Sequence, residues 1–318
     1  MKTPVGSIIG SLLSIVIFCA LPIPPVAAND STAELATGGL VFVRNNDIEM
    51  LSEDLFISLD EIRVHYRFLN RSDRDITVHV AFPLPDLKTS TMDDAVMIPT
   101  DDPINFVGFA TTADGRPVHA TVEQKVYVND RDETQTLTRL RIPLSPYAAQ
   151  DVISKLSAAE RASLKRLRLI DDDGLPLWTL KTAFFWQQQF AAGRETVIEH
   201  RYKPSVGTVV PIDGSSLVRV LKSADYRKYC ADEDLLVTLA KARSDFSQWS
   251  IDYVLKTGAN WAGPIKDFRL VVDKGSPNNL VSFCGQGVKR IGPTQFEMKK
   301  SDFTPQQDLA ILILKPLL

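Results

Sequence analysis

Between Ile62 and Val80 the chain alternates apolar and polar residues so regularly that it admits little but a β-sheet with one buried face. Ile62, Val64, Tyr66 and Phe68 interleave with Arg63, His65, Arg67 and Leu69. After the polar turn Asn70-Arg71-Ser72-Asp73-Arg74-Asp75, the residues Ile76, Val78 and Val80 resume the pattern. Period two is the mark of a half-buried strand, and two such runs across a short polar turn read as a hairpin. In even register that hairpin sets His65 opposite His79 on the polar face. Ala81-Phe82-Pro83-Leu84-Pro85 then stops the ladder, because proline has no N–H to donate. Asp114-Gly115 marks another tight turn before a strand from Val118 to Val128, so the stretch from Leu40 to Ile142 reads as a series of strands.

A helical segment follows. Ser145-Pro146 offers a cap with proline at the first helical position, and Ser157-Ala158-Ala159-Glu160 fits a capping box, so two short helices are expected from about Pro146 to about Arg168. Asp171-Asp172-Asp173-Gly174 and Leu175-Pro176 break them. Strands are expected again over 178–189, 196–202, 250–255, 268–272 and 309–314, with one helix from Asp225 to about Ala242. The fold class is mainly β with a few helices: two β-sandwich-like domains joined by a helical connector. The divisions are 1–28, 29–144 for the N-terminal sandwich, 145–174 for the connector, and 175–318 for a C-terminal β-rich domain with one inserted helix. About 290 residues beyond the first segment is long for one small core, which agrees with two domains.

Residues 1–28 are a different kind of sequence. Lys2 is their one charge, an apolar run extends from Ile8 to Leu21, and Val26-Ala27-Ala28 puts small residues before Asn29. That is the pattern of a secretory signal peptide cut before Asn29. A transmembrane anchor needs roughly 18 apolar residues, and Pro22, Pro24 and Pro25 end the run early. Lipidation at Cys19 wants a small residue before the cysteine, and Phe18 is bulky. The chain is therefore expected to be periplasmic or otherwise exported, with no integral membrane segment once the leader is removed. Export puts Cys230 and Cys284 in an oxidising compartment, where a disulfide between them is the economical reading and two buried free thiols the other. The net charge of −3, or −4 once Lys2 is lost, together with basic residues scattered among acidic ones, gives no sign of a nucleic-acid partner.

A set of short motifs in fixed order resembles a known family. Asn29-Asp30-Ser31 with Gly38-Gly39-Leu40, then Phe68-Leu69-Asn70 and Ala81 to Pro85, look like the opening of an exported proteobacterial family catalogued as domain of unknown function 4424. Trp186 to Phe190, His200 to Pro204 with Gly207, Tyr229-Cys230, Asn260 to Ile265 and Phe283-Cys284-Gly285 resemble its later segments. The resemblance supplies no activity and no catalytic residues. The N-terminal half is also similar to the β-sandwich module of vault and inter-α-trypsin-inhibitor proteins, through Phe68-Leu69-Asn70, Phe82 to Pro85, Asp114-Gly115-Arg116 and Glu123-Gln124-Lys125. That likeness implies a sandwich used in interaction or scaffolding.

The residues themselves spell out no reaction. The histidines His65, His79, His119 and His200 are dispersed, and neither Asp171 to Gly174 nor Asn129 to Glu133 has the ligand spacing of an EF-hand. Asp213-Gly214-Ser215-Ser216 reads as a turn and lacks the second glycine of a nucleophile elbow. Neither a catalytic residue, a metal nor a cofactor is assigned. The function expected is that of a non-catalytic periplasmic or envelope protein that binds an envelope protein, peptide or glycan; the alternative is an envelope hydrolase assembled from distant residues. His200 beside a carboxylate and a serine at the floor of a pocket would favour the hydrolase. Trp186, Tyr202 and Trp261 are the candidate partner-binding residues, expected to be mainly structural with at most one exposed.

Overall fold

The computed structural model of the chain describes residues 30–36, 39–89 and 94–317. The leader, its cleavage point before Asn29 and Gly38 lie outside the described residues. The first eleven strands are β1 (Ser31–Ala36), β2 (Gly39–Val43), β3 (Ile48–Ile57), β4 (Ile62–Asn70), β5 (Ile76–Pro83), β6 (Leu87–Lys88), β7 (Asp94–Met97), β8 (Ala110–Ala113), β9 (Arg116–Val118), β10 (Thr121–Val128) and β11 (Arg131–Asp132). Helices α1 (Thr134–Arg139), α2 (Pro146–Ser154) and α3 (Ala158–Arg166) come next. After them run β12 (Thr179–Phe190), β13 (Glu195–Tyr202), β14 (Val206–Asp213), α4 (Gly214–Leu221), α5 (Glu233–Lys241), β15 (Asp245–Tyr253), β16 (Ile265–Asp273), β17 (Leu280–Phe283), β18 (Lys289–Arg290), β19 (Gln295–Phe303) and β20 (Leu309–Pro316).

These strands form three sheets. The first has the order β11-β10-β12-β5-β1-β2 with β6 beside β12; the second is β18-β19-β16-β3-β4-β13-β8-β9; the third is β17-β20-β15-β14-β7. The protein is thus mainly β, as expected, and residues on both sides of the helical segment share the first and second sheets. Every described strand pair is antiparallel except β3 with β16.

The eight-stranded sheet packs one face against both of the other sheets. Its buried face carries Ile62, Val64, Tyr66 and Phe68 from β4 and Phe268, Leu270 and Val272 from β16, all in one continuous core. The β4 end faces the first sheet, where the Phe68 ring lies 5.9 Å from that of Phe190. The third sheet meets the same face, and Tyr66 and Tyr253 bring their hydroxyls to 3.2 Å. On its other side the third sheet is covered by α4 and α5, with Leu217, Leu236 and Leu239 packed against Leu312 and Leu314. Each such buried side chain contributes about 1.5–3 kcal/mol by leaving water.

The hairpin expected between β4 and β5 does not form. β4 pairs with β3 and β13, whereas β5 pairs with β12 and β1 in the other layer. The polar turn carries the chain from one sheet across to the next, held by Asn70, whose Nδ2 donates to Arg74 O at 2.8 Å and Phe190 O at 2.9 Å. Period two reports which face of a strand is buried, and here two strands bury their faces against each other. His65 and His79 consequently lie in different sheets and share no register: His65 stands opposite Asp54 and Glu199, His79 opposite Ala33 and Gln187.

Local signals were followed more closely. Asp114 and Gly115 both take positive φ, 49° and 73°, as the two-residue turn between β8 and β9 demands. The capping box at Ser157 and Glu160 is complete, and Pro146 opens α2. Asp213, expected in a turn, instead caps α4 by accepting from Ser216 N at 2.9 Å. The helix expected from Asp225 to Ala242 shortens to α5, preceded by the 3-10 turn Arg227–Tyr229. No helix among the described residues is long and apolar enough to cross a membrane.

Candidate functional site

Two places could do more than hold the fold together. The first is centred on His200, in β13. Its Nε2 lies 2.9 Å from Asp30 Oδ1 and its Nδ1 2.9 Å from Thr111 Oγ1, so a carboxylate, an imidazole and a hydroxyl stand in line. That order matches a hydrolytic triad, but the setting does not. The side chains of His200 and Asp30 are wholly shielded from solvent. Tyr66, Phe82, Phe109 and Trp186 box the imidazole in, with ring centroids at 5.5, 4.9, 5.0 and 5.5 Å. The hydroxyl is that of threonine, not serine, and it too is buried. Burial raises the Asp30 carboxyl above its usual range, although the charge and hydrogen bond of His200 pull it back in part. A triad acts only where its nucleophile meets substrate, so this cluster serves to tie β1, β8 and β13 together.

The three candidate aromatic residues belong to the same interior. Trp261 is completely buried, donating through Nε1 to Asp30 O at 2.6 Å and lying 4.5 Å from the Phe68 ring. Trp186 is buried over His200, and its Nε1 donates to Gln188 Oε1 at 3.3 Å. Tyr202 is buried against Phe82 at 5.6 Å and borders a cavity of about 110 Å³ with Ile62, Leu84 and Pro204. None of the three rings is open to a partner in this arrangement.

The second place is open. Where β17 forms the edge of the third sheet and β18 and β19 form the edge of the second, the two sheets part around a cleft of about 800 Å³. This lies within the roughly 300–1,000 Å³ range of small-molecule pockets. Val281 and Phe283 point in from β17, where they pair with Ile313 and Ile311. Phe296, Met298 and Phe303 point in from β19, and Leu255 and Leu309 close the back. Gly285 is closely packed at one end: a Cβ there would lie 2.8 Å from Val288 Cγ2 and 3.1 Å from Met298 Sδ, so those side chains would have to shift.

Cys230 and Cys284 form the expected disulfide at the rim of this cleft, with Cα atoms 5.0 Å apart. It links the turn Arg227–Tyr229 to the end of β17, and Ser282 Oγ adds a 2.8 Å hydrogen bond to Tyr229 O beside it. Sequence reasoning found the disulfide but missed the cleft. The signal was present: alternation from Phe296 through Met298 to Lys300 sets a lysine on an otherwise apolar face.

The outer face of the second sheet is polar and internally neutralised. Arg269 pairs with Asp54 at 3.0 Å and Glu297 at 2.8 Å, and Arg201 with Glu61 at 2.9 Å. Asp171, in the acidic turn after α3, accepts from Asp173 N and Leu175 N at 3.0 and 2.8 Å, in the manner of a turn-forming aspartate. No group of three or more His, Cys, Asp or Glu among the described residues is arranged to hold a metal.

Comparison with known proteins places this architecture in a family. The model for the domain of unknown function DUF4424 matches residues 28–312, and the chain belongs to that family. No curated protein matches the chain. Among solved structures, a candidate nutrient-binding protein of Legionella pneumophila is 15% identical, with 90% of this chain and 70% of that chain covered at a TM-score of 0.46. An M1 zinc metallopeptidase of Deinococcus radiodurans is 8% identical at a TM-score of 0.26, and this chain, 86% of it aligned, spans 43% of the peptidase.

Proposed function

We propose that this member of the DUF4424 family is an exported, non-catalytic binding protein of the periplasm or cell envelope, and that it holds its ligand in the cleft between the second and third sheets. The observation that carries the reading is the contrast between the two sites. The cluster with catalytic residue types is sealed in the core, while a large cleft with an apolar wall formed by Val281, Phe283, Phe296 and Phe303 is open. A concave site that joins an apolar wall to polar groups at its rim suits a small ligand. Export is supported by the leader pattern of residues 1–28 and by a disulfide, which persists in oxidising compartments.

The test uses the chain without its leader and the neutral fluorophore N-phenyl-1-naphthylamine. Saturable enhancement at a single site is expected. Val281→Trp, which fills the cleft from an edge strand, should abolish it, while Val210→Ser, at an exposed apolar position on β14, should leave it intact. Unsaturable binding, or binding unchanged in a folded Val281→Trp protein, overturns the reading.

A further inference from the structure

On the wall of the cleft stands Lys300, a charge with no counter-ion among the described residues. β19 turns Glu297, Lys299 and Ser301 outward and Phe296, Met298 and Lys300 inward, since Lys300 pairs in register with the buried Phe268. The outward residues are satisfied: Lys299 lies 3.3 Å from Glu297, which also takes the Arg269 guanidinium at 2.8 Å. Lys300 is half-buried, and its side chain makes no ion pair or hydrogen bond with any described residue. Its neighbours on the same wall are the rings of Phe268 and Phe303, tilted to each other with centroids 4.7 Å apart.

The other charges at the rim are already engaged. Arg290 donates to Gly292 O and Pro293 O, both at 2.9 Å. Asp308 accepts from Leu255 N at 3.1 Å and Lys256 N at 3.2 Å, and Asp232 caps α5 through Leu235 N at 2.8 Å. An ammonium beside an apolar wall, with no counter-ion of its own, is placed to donate a charge-assisted hydrogen bond to an anionic group. From this geometry, and resting on the cleft being the binding site, we infer that the ligand is a single-chain amphiphile with an anionic head, of the chemistry of a long-chain carboxylate. Its chain lies along Val281, Phe283, Met298 and Phe303, and its head is held by Lys300.

The bland account of Lys300 is that an inward lysine near a sheet edge discourages pairing with another sheet. The two accounts differ in what they expect of ligands. Dodecanoate and dodecanol, each displacing N-phenyl-1-naphthylamine from the leaderless protein at pH 8, separate them. Wild type should bind dodecanoate about tenfold more tightly than dodecanol, the value of one charge-assisted hydrogen bond. Lys300→Gln should remove that preference by weakening dodecanoate alone, Lys300→Arg should keep it, and Lys299→Gln on the outer face should change nothing. Equal affinity for the two ligands in wild type, or a preference that survives Lys300→Gln, overturns the anionic head and returns Lys300 to the edge-guarding role. Displacement by neither ligand while the fluorophore still binds overturns the amphiphile and leaves the cleft standing. Failure of the fluorophore itself removes the cleft reading beneath both.

Discussion

Replacing both Cys230 and Cys284 by alanine should cost this protein about 4 kcal/mol. The bond spans a sequence separation of 54. In the chain-entropy model, opening a loop of that length returns about 14 cal/mol/K to the unfolded chain, which is about 4 kcal/mol at room temperature. The native state gives little of this back, because the loop is independently held. Leu217, Leu221, Tyr229, Leu236 and Leu239 pack on the third sheet, and Ser282 bonds Tyr229 O without help from sulfur. The folded geometry should therefore survive, and the loss should appear in stability. Urea titration followed by tryptophan fluorescence would show a lower midpoint at a slope no smaller than that of wild type, and the melting temperature should fall by about 7 °C. Hydrogen exchange should quicken first in β17 and in the turn Arg227–Tyr229, the two segments that the bond joins. Wild type in reductant should behave as the double variant does. A loss below about 1 kcal/mol without a reduced slope would refute the loop-entropy reasoning, and a reduced slope would mean that the α4–α5 layer unfolds separately once the link is cut.

Three further outcomes are expected. His200→Ala leaves the Asp30 carboxylate buried without its imidazole and should destabilise by about 3–5 kcal/mol in denaturant titration; a folded variant of wild-type stability would remove the structural role given to the cluster. Burial by itself would raise the Asp273 carboxyl, but hydrogen bonds from Gln295, Gly275 and Thr294 outweigh it and hold the group below its ordinary range. Its contribution to stability is thus complete above the unfolded carboxyl range and is lost as pH falls through the folded value, so Asp273→Asn should flatten melting temperature against pH between about pH 5 and pH 2. Mass spectrometry of the exported protein should find Asn29 at the N-terminus, and an intact Met1 or lipid on Cys19 would contradict the leader reading.

What the sequence determined alone was local. Alternation from Ile62 to Phe68 located a strand and its buried face, Asp114-Gly115 a turn with two positive φ angles, Ser157 with Glu160 a helix start, and the pair Cys230 and Cys284 a disulfide. Each depends on backbone preferences or chemistry that a few neighbouring residues settle. Tertiary structure decided the partners. β4 and β5 carry the same pattern that a hairpin would, yet they face each other across the core, because burial of an apolar face is satisfied equally by a strand alongside or a sheet opposite. β3 found β16 more than two hundred residues away, at Asp54 and Arg269, a pairing with no local trace. His200 shows the same division most plainly. Its neighbours in sequence are those of an ordinary strand residue, and only packing brought Asp30 and Thr111 to its two nitrogens and then closed four aromatic rings over them. Lys300 sits between the cases: its place on an apolar face could be read from Phe296 and Met298, but that the face borders an open cleft depended on two sheets parting at their edges.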